Sequence, residues 1–324
     1  MRGAGDVAEN VLSYISPLGL VLRSEVYVSN YLWPILVTAA ISLVGIVLAF
    51  YLNSIRDLGA GLIAAKPGRK EASRFLGTPF GLTFRLLKFM LIVWAITIFI
   101  LGASYGSVFG DIDSFLEGNE MLQQMFLTSG GFSVDEQFLS TIVAMYAILL
   151  AIPILLILLK IYTEEKKGRL ETIYAKKVSR KKMLGSYFLI SFVSSIVFTL
   201  LFTFGLWIAA FSVMTTPILL TTVLLAGLVY LPAIWFTIGL TVLLVGFAPK
   251  LTKLVWAFIG ASFVLVYLGP ILQLPTWAMK LTPFGHIPRY PIETVTATPL
   301  IVLTVLAAVM CIAGFYGYKR RDLS

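Results

Sequence analysis

The sequence contains seven apolar runs that are long enough to cross a lipid bilayer. A membrane-spanning helix needs about 20 mostly apolar residues, because each advances about 1.5 Å across a hydrocarbon core about 30 Å thick. The runs lack Asp and Glu and occupy residues 31–53, 87–109, 139–162, 186–211, 218–245, 254–274 and 298–318. Their length and their lack of strict alternation predict helices rather than barrel strands. We therefore predict an all-α membrane protein with about seven transmembrane helices.

Composition supports this class and excludes several kinds of chemistry. The chain is 59% hydrophobic and 13% charged, whereas a soluble domain is about 45–50% apolar and about 25% charged. A single Cys (Cys311) and a single His (His286) argue against a disulfide, a metal cage and a Ser-His pair within the bilayer. The sequence also lacks a G-x-x-x-x-G-K-[ST] phosphate loop. We predict no catalytic, cofactor-binding or metal-binding residue, and we expect that the chain is not an enzyme.

The distribution of positive charge predicts how the helices are oriented. Lys and Arg cluster in the segments 54–88, 160–185 and 246–253 and after residue 318. Only four of the 25 Lys and Arg residues lie on the opposite side: Arg2, Arg23, Lys280 and Arg289. Because cytoplasmic loops are rich in Lys and Arg, we predict a multi-pass plasma-membrane protein with its N-terminus outside and its C-terminus cytoplasmic. The net charge of +9 then indicates contact with membrane lipid rather than nucleic acid.

Two stretches of the chain resemble each other and predict an internal repeat. LSYISPLG at 12–19 and AMKLTPFG at 278–285 are each followed by an apolar run and then by Arg-Asp-Leu, at 56–58 and 321–323. Transporters are often built from repeats. We therefore expect residues 1–58 to be the remnant of a first repeat, an external segment plus one transmembrane helix. Residues 59–324 should form a complete six-helix repeat, with an interfacial helix at 70–85.

The most informative segment lies between the third and fourth runs. Three of its apolar residues are spaced for one face of a short surface helix: Leu170, Ile173 and Tyr174. Glu165 with Arg169, and Lys167 with Glu171, form i,i+4 pairs that would support this helix. Ser179 is placed to cap the helix that follows. On the residues alone, an ordinary basic loop that fixes topology is an equally good interpretation.

The pattern Glu164-Glu165-x-x-Gly168-Arg169-Leu170-Glu171, followed by Val178-Ser179-Arg180, resembles the Gly-centred coupling segment of type-2 ABC-exporter permeases. The chain looks closest to the two-repeat polyketide-antibiotic and multidrug exporters, lacking most of the first repeat. Further similarity to them lies at 56–62, 66–69, 73–76, 79–82, 282–288 and 320–323. The resemblance implies that the cytoplasmic segment 160–185 contacts an ATPase. It implies these coupling residues: Glu164, Glu165, Gly168, Arg169, Leu170, Glu171, Ser179 and Arg180.

The family resemblance also implies a function. The chain is expected to be the permease subunit of an ATP-driven exporter that moves a hydrophobic or amphipathic, drug-like compound out of the cell. ATP and Mg²⁺ would bind to a partner ATPase dimer, and a second membrane fragment or copy could supply the other repeat. Export of a lipid or an endogenous metabolite is an alternative. A non-transporting scaffold or sensor, or an inactive fragment of a split permease, is another.

Overall fold

A computed structural model describes residues 17–25, 29–55, 73–110, 132–175, 178–214 and 216–321. Within these ranges the regular structure is helical, and seven helices are long and apolar enough to cross a membrane. The predicted fold class is therefore confirmed. The chain divides into two compact units, Met1–Glu71 and Ala72–Ser324. The α-helices are α1 Pro17–Leu22, α2 Trp33–Ser54, α3 Pro79–Ser107, α4 Val134–Lys166, α5 Arg169–Tyr174, α6 Arg180–Val213, α7 Leu220–Leu228, α8 Leu231–Phe247, α9 Leu254–Phe263, α10 Thr276–Met279 and α11 Ala297–Arg320.

The first unit contains α1 and the first membrane-spanning helix, α2. Pro34 lies in the first turn of α2, where its missing N–H has no intrahelical partner to lose. Nearly all the apolar side chains of α2, including Leu36 and Phe50, are left uncovered by the other described residues of the first unit. The predicted repeat is only partly covered, because residues 12–16 and 56–58 lie outside the described ranges. Two repeats therefore stay a prediction.

Helix α4 lies at the centre of the second unit. It packs against α6, α7, α8 and α9, and most of its membrane-spanning window is buried. Its start is set by a capping box: the N–H of Glu136 donates to Ser133 Oγ at 3.2 Å, and the N–H of Ser133 donates to Glu136 Oε2 at 3.1 Å. Two N–H donors at this end of the helix, which lack intrahelical partners, are thereby satisfied. Pro153 lies inside the helix without ending it.

Two pairs of helices flank α4. The two helices of each pair run parallel, and glycines bring their backbones together. In the pair α3–α6, a Cβ on Gly102 or Gly106 would overlap a backbone carbonyl of α6. In the pair α8–α11, Gly246 and Gly314 each face the backbone of the other helix in the same way. Small residues at the contact, such as Gly102 and Gly106 spaced four apart, permit this close approach in membranes, where packing rather than water drives association. The described unit is therefore built from two closely packed pairs around α4.

Two predicted spans differ in detail from the structure. The fifth consists of α7 and α8, separated by a break at Val229 and Tyr230, and Pro232 lies in the first turn of α8. The sixth begins with the 3₁₀ helix Pro249–Lys253 and ends with the π-helix Val264–Leu268. It therefore stops short of residue 274. Gly269 still has helical backbone, with φ of −51° and ψ of −50°, but Pro270 has no N–H with which to continue the helical hydrogen bonds.

The predicted interfacial helix at 70–85 is wrong over the described residues. Residues 73–78 form turns, and from Pro79 the chain is already in α3. Thr78 is extended and caps α3, accepting a hydrogen bond at 3.0 Å from the N–H of Gly81. A proline at the first helical position, preceded by a threonine N-cap, starts a new helix and excludes a continuous one across residue 78.

Candidate coupling site at the basic end of the second unit

Four helix ends meet at one end of the second unit, which we call the basic end. The C-terminal ends of α4, α8 and α11 and the N-terminal end of α6 come together there through hydrogen bonds between their last or first residues. The meeting point brings the segment 160–185 beside the loop that follows α8 and the residues that follow α11. Three of the predicted Lys- and Arg-rich segments therefore lie at the same end.

Gly168 separates α4 from the short helix α5. Its backbone lies in the left-handed region, with φ of 69°, and its N–H donates to the carbonyl O of Glu165 at 2.9 Å. Glycine adopts this conformation without the steric cost that a Cβ imposes. Leu170 of α5 is only 2% exposed, and Ile173 packs against the same core. The predicted amphipathic surface helix is confirmed over Arg169–Tyr174.

Glu164 is buried at the end of α4 and is paired on both sides. Its carboxylate lies 3.4 Å from Lys160 Nζ and 3.0 Å from Arg169 Nη1. The predicted Glu165–Arg169 pair is therefore wrong: the left-handed turn at Gly168 ends the helix, so residues 165 and 169 do not lie one helical turn apart. The described residues contain no ion pair between Lys167 and Glu171 either, for the same reason.

Glu165 pairs instead with a residue at the far end of the sequence. Its carboxylate accepts from Arg321 Nη2, and the hydroxyl of Tyr318 donates to Glu165 Oε2 at 3.3 Å. Tyr318 in turn shares a hydrogen bond of 2.9 Å with the hydroxyl of Tyr174 in α5. Arg180, the first residue of α6, donates to the carbonyl O of Arg321 at 2.6 Å. We call these five residues the Glu165 cluster.

The cluster is largely shielded from solvent. The side chains of Glu165 and Arg321 are 11% and 13% exposed, and Arg321 Nη1 donates to the carbonyl O of Val245 at 2.9 Å. The guanidinium of Arg321 also lies 5.2 Å from the ring centre of Tyr318. Burial raises the pKa of Tyr174. Charges removed from water are tolerated only when they are paired and hydrogen-bonded, so the cluster ties α4, α5, α6, α8 and α11 together.

The remaining predicted coupling residues take different positions. Arg169 and Glu171 expose their side chains on α5. Ser179 occupies the N-cap position of α6, but its side chain makes no capping hydrogen bond. Among the residues that the structure describes, no group of three or more His, Cys, Asp or Glu side chains is arranged to hold a metal ion.

Sequence reasoning missed Tyr318 and Arg321 as members of the site. Arg321 was recognised only as part of a closing motif, and Tyr174 only as an apolar contact. The available signal was the Arg pair that follows the seventh apolar run, at 320 and 321. Nothing in the spacing, however, connects residue 321 with residue 165.

Comparison with known proteins agrees with this architecture. A family model described as the C-terminal domain of the multidrug efflux system permease Rv1217c matches residues 76–319, which all lie in the second unit. The multidrug efflux system permease protein Rv1217c of Mycobacterium tuberculosis is 34% identical over 325 residues, covering 100% of this chain and 59% of that protein. The chain thus spans about three-fifths of this relative's length. The resemblance to exporter permeases is confirmed, and this multi-pass plasma-membrane chain belongs to the family of multidrug efflux permeases that the C-terminal domain of Rv1217c represents.

Proposed function

We propose that this chain is the membrane-spanning part of an ABC exporter that moves a hydrophobic or amphipathic, drug-like compound out of the cell. A separate ATPase dimer binds ATP and Mg²⁺, and this chain supplies the helices through which the compound leaves. The proposal is supported by the family match and by the relative that is named a multidrug efflux permease. The cargo class rests on that name together with the apolar character of the seven spans.

The observation that carries the proposal is the way α5 is held at the basic end. Leu170 anchors one face of α5 in the core, while Arg169 and Glu171 expose their charged side chains. An exposed charged face on a buried apolar anchor suits contact with a partner protein. On its other side α5 is joined to α11 through the hydroxyl pair Tyr174–Tyr318. A partner that displaces α5 therefore acts on several spans at once.

In the proposed mechanism, closure of the ATPase dimer on ATP pushes α5. The push passes through the left-handed turn at Gly168 to the end of α4, and through the Glu165 cluster to α6, α8 and α11. Packed helices shift between a few discrete arrangements rather than deforming continuously, so the second unit rearranges as a whole. The energy comes from ATP in the partner. This chain supplies two arrangements of its helices and the mechanical contact that selects between them.

Two substitutions of Gly168 test the mechanism. Gly168→Pro replaces a φ of 69° by about −65° and removes the hydrogen bond to Glu165. Gly168→Asn is the matched control, because Asn tolerates the left-handed region and no atom lies within 4 Å of the added Cβ. We expect Gly168→Pro to abolish the stimulation of ATPase activity by the dye rhodamine 6G in liposomes that contain the full transporter, and Gly168→Asn to preserve it.

Membrane insertion of both variants is checked by their yield in purified membranes. Equal stimulation in the two variants would exclude α5 as the coupling contact. If the wild type copurifies with no ATPase, the chain acts as a scaffold or sensor. If the liposomes show ATP-dependent movement of a fluorescent phospholipid between leaflets and no stimulation by the dye, the cargo is a lipid.

A further inference from the structure

A groove with a volume of about 680 Å³ runs along α6, α8 and α11 of the second unit. Its walls are aromatic and aliphatic: Phe188 and Phe192 of α6, Trp235 of α8, and Cys311, Ile312 and Phe315 of α11. A volume of this size is typical of a site for a small organic ligand. The groove is separate from the Glu165 cluster, whose residues do not line it.

The walls of the groove are held open by their own packing. Phe192 stacks on Trp235 with ring centres 4.9 Å apart, and Phe188 meets Phe315 edge-on at 5.7 Å. Trp235 Nε1 donates to Ser195 Oγ at 3.1 Å, which fixes the indole. Aromatic pairs with these geometries favour one arrangement of the rings. The groove is thus a defined space rather than loose packing between helices.

The groove opens on the side of the second unit, along the length of α11. Ile312 is 71% exposed and Tyr316 is 49% exposed, and both line it. Along α11 it extends from Tyr316 to Thr304, twelve residues that rise roughly 18 Å along the helix axis. This length is slightly more than half of a hydrocarbon core about 30 Å thick. The groove therefore reaches from the membrane surface at the basic end to about the depth of one leaflet.

Positive charge marks the end of the groove that lies nearest the surface. Lys181, the second residue of α6, lines this end. The guanidinium of Arg320 lies 4.3 Å from the ring centre of Tyr316, another lining residue. No Asp or Glu side chain is among the described residues that line the groove. An apolar groove with cations at one end matches a ligand with an anionic head and an apolar tail. Basic pockets between membrane helices bind lipid head groups of this kind.

We propose that this groove is a binding site for an anionic phospholipid of the leaflet at the basic end, with one acyl chain between α6, α8 and α11 and the phosphate at Lys181. The lipid is a resident of the protein rather than the exported compound, so the inference goes beyond the proposed function and does not depend on it. The length of the groove selects an acyl chain, and Lys181 selects an anionic head group over a zwitterionic one.

Native mass spectrometry of the protein released from lipid nanodiscs tests the site. The nanodiscs contain equal amounts of dioleoylphosphatidylglycerol and dioleoylphosphatidylcholine, and we expect the wild type to retain one phosphatidylglycerol in preference. Lys181→Gln should lower that preference about fivefold, the contribution of one Lys near an anionic surface. Lys182→Gln is the matched control: Lys182 is the exposed neighbour that does not line the groove, and its substitution should change nothing.

A second pair of variants tests the acyl-chain part of the groove. Ala308→Trp should fill the groove and remove the retained lipid, whereas Val309→Trp, on the adjacent exposed position outside it, should not. The single cysteine of the chain, Cys311, lines the groove and gives an independent readout. Phosphatidylglycerol should slow its labelling by N-ethylmaleimide relative to phosphatidylcholine alone, and Lys181→Gln should remove the difference.

Three results would overturn the proposal. They are equal retention of the two lipids by the wild type, equal loss of lipid in Lys181→Gln and Lys182→Gln, and labelling of Cys311 that is the same in both lipids. If Ala308→Trp fails to fold, the Lys181 variants and the labelling of Cys311 still decide the question, because neither requires the groove to be filled.

Discussion

The Glu165–Arg321 pair offers a quantitative test of how the basic end is held together. Both side chains are almost buried, at 11% and 13% exposure. Glu165→Gln leaves the guanidinium of Arg321 with the carbonyl O of Val245 and the ring of Tyr318. Arg321→Met leaves the carboxylate of Glu165 with the hydroxyl of Tyr318. Each single variant therefore leaves one buried charge without its ionic partner, while the double variant leaves none.

The expected magnitudes follow from this difference. Removing one member of a buried pair costs about 3–5 kcal/mol, and the contacts that remain place each single variant near the lower end, at about 3 kcal/mol. The double variant should cost less than the sum of the two single variants by about 1–3 kcal/mol, the usual coupling between contacting residues. The hydrogen bond from Arg180 goes to the backbone carbonyl of Arg321, so no variant in the cycle removes it.

The assay is equilibrium unfolding of the purified protein in mixed micelles with increasing sodium dodecyl sulfate. The control is Lys319→Met, which removes an exposed positive charge two residues from Arg321 and should change the unfolding free energy by less than about 0.5 kcal/mol. If the changes in unfolding free energy of the two single variants summed to that of the double variant, Glu165 and Arg321 would not interact. If Lys319→Met lowered the free energy of unfolding as much as Arg321→Met does, the stability of the protein would depend on net charge and not on the Glu165–Arg321 pair.

Two further predictions concern packing and helix capping in the second unit. Gly102→Val should destabilise the protein by about 1–3 kcal/mol, because its Cβ would meet the backbone of α6, whereas Gly260→Val has no atom within 4 Å of its Cβ and should be tolerated; thermal unfolding in detergent measures both. Ser133→Ala should cost about 1 kcal/mol through loss of the capping box. Ser179→Ala, which removes no capping hydrogen bond, should leave the same thermal unfolding transition unchanged.

Membrane insertion and the number of spans were predictable, because the bilayer requires long apolar helices and the sequence shows them without ambiguity. The break at Val229 and Tyr230 was hidden, since both residues are apolar and lie within one continuous hydrophobic run. The start of α3 was mispredicted although its signal is visible in the sequence. Thr78 and Pro79 are a clear start signal, but the amphipathic pattern on both sides of them favoured one uninterrupted helix.

At the candidate site, local features could be inferred and distant contacts could not. The spacing of Leu170, Ile173 and Tyr174 predicted a short amphipathic helix, and the structure has one over Arg169–Tyr174. The turn at Gly168 was missed, because the predicted Glu165–Arg169 pair requires a helix that continues through it. The partner of Glu165 could not be inferred, because many Lys and Arg residues lie on the predicted cytoplasmic side. The choice of Arg321 depends on how α8 and α11 pack together, which positions the end of α11 beside Val245.

The two glycine-contacted pairs also determine where the second unit can change shape. Backbones in direct contact slide past one another poorly. We therefore expect each pair, α3 with α6 and α8 with α11, to move as one rigid unit. Helix α4 contains no glycine and meets its neighbours through side chains, whose rotamers adjust readily. Rotation of the two helix pairs around α4 would therefore need only side-chain rearrangement. In the proposed mechanism, the Glu165 cluster joins α4 to both helix pairs, so its hydrogen bonds must break before either pair can turn when a partner displaces α5.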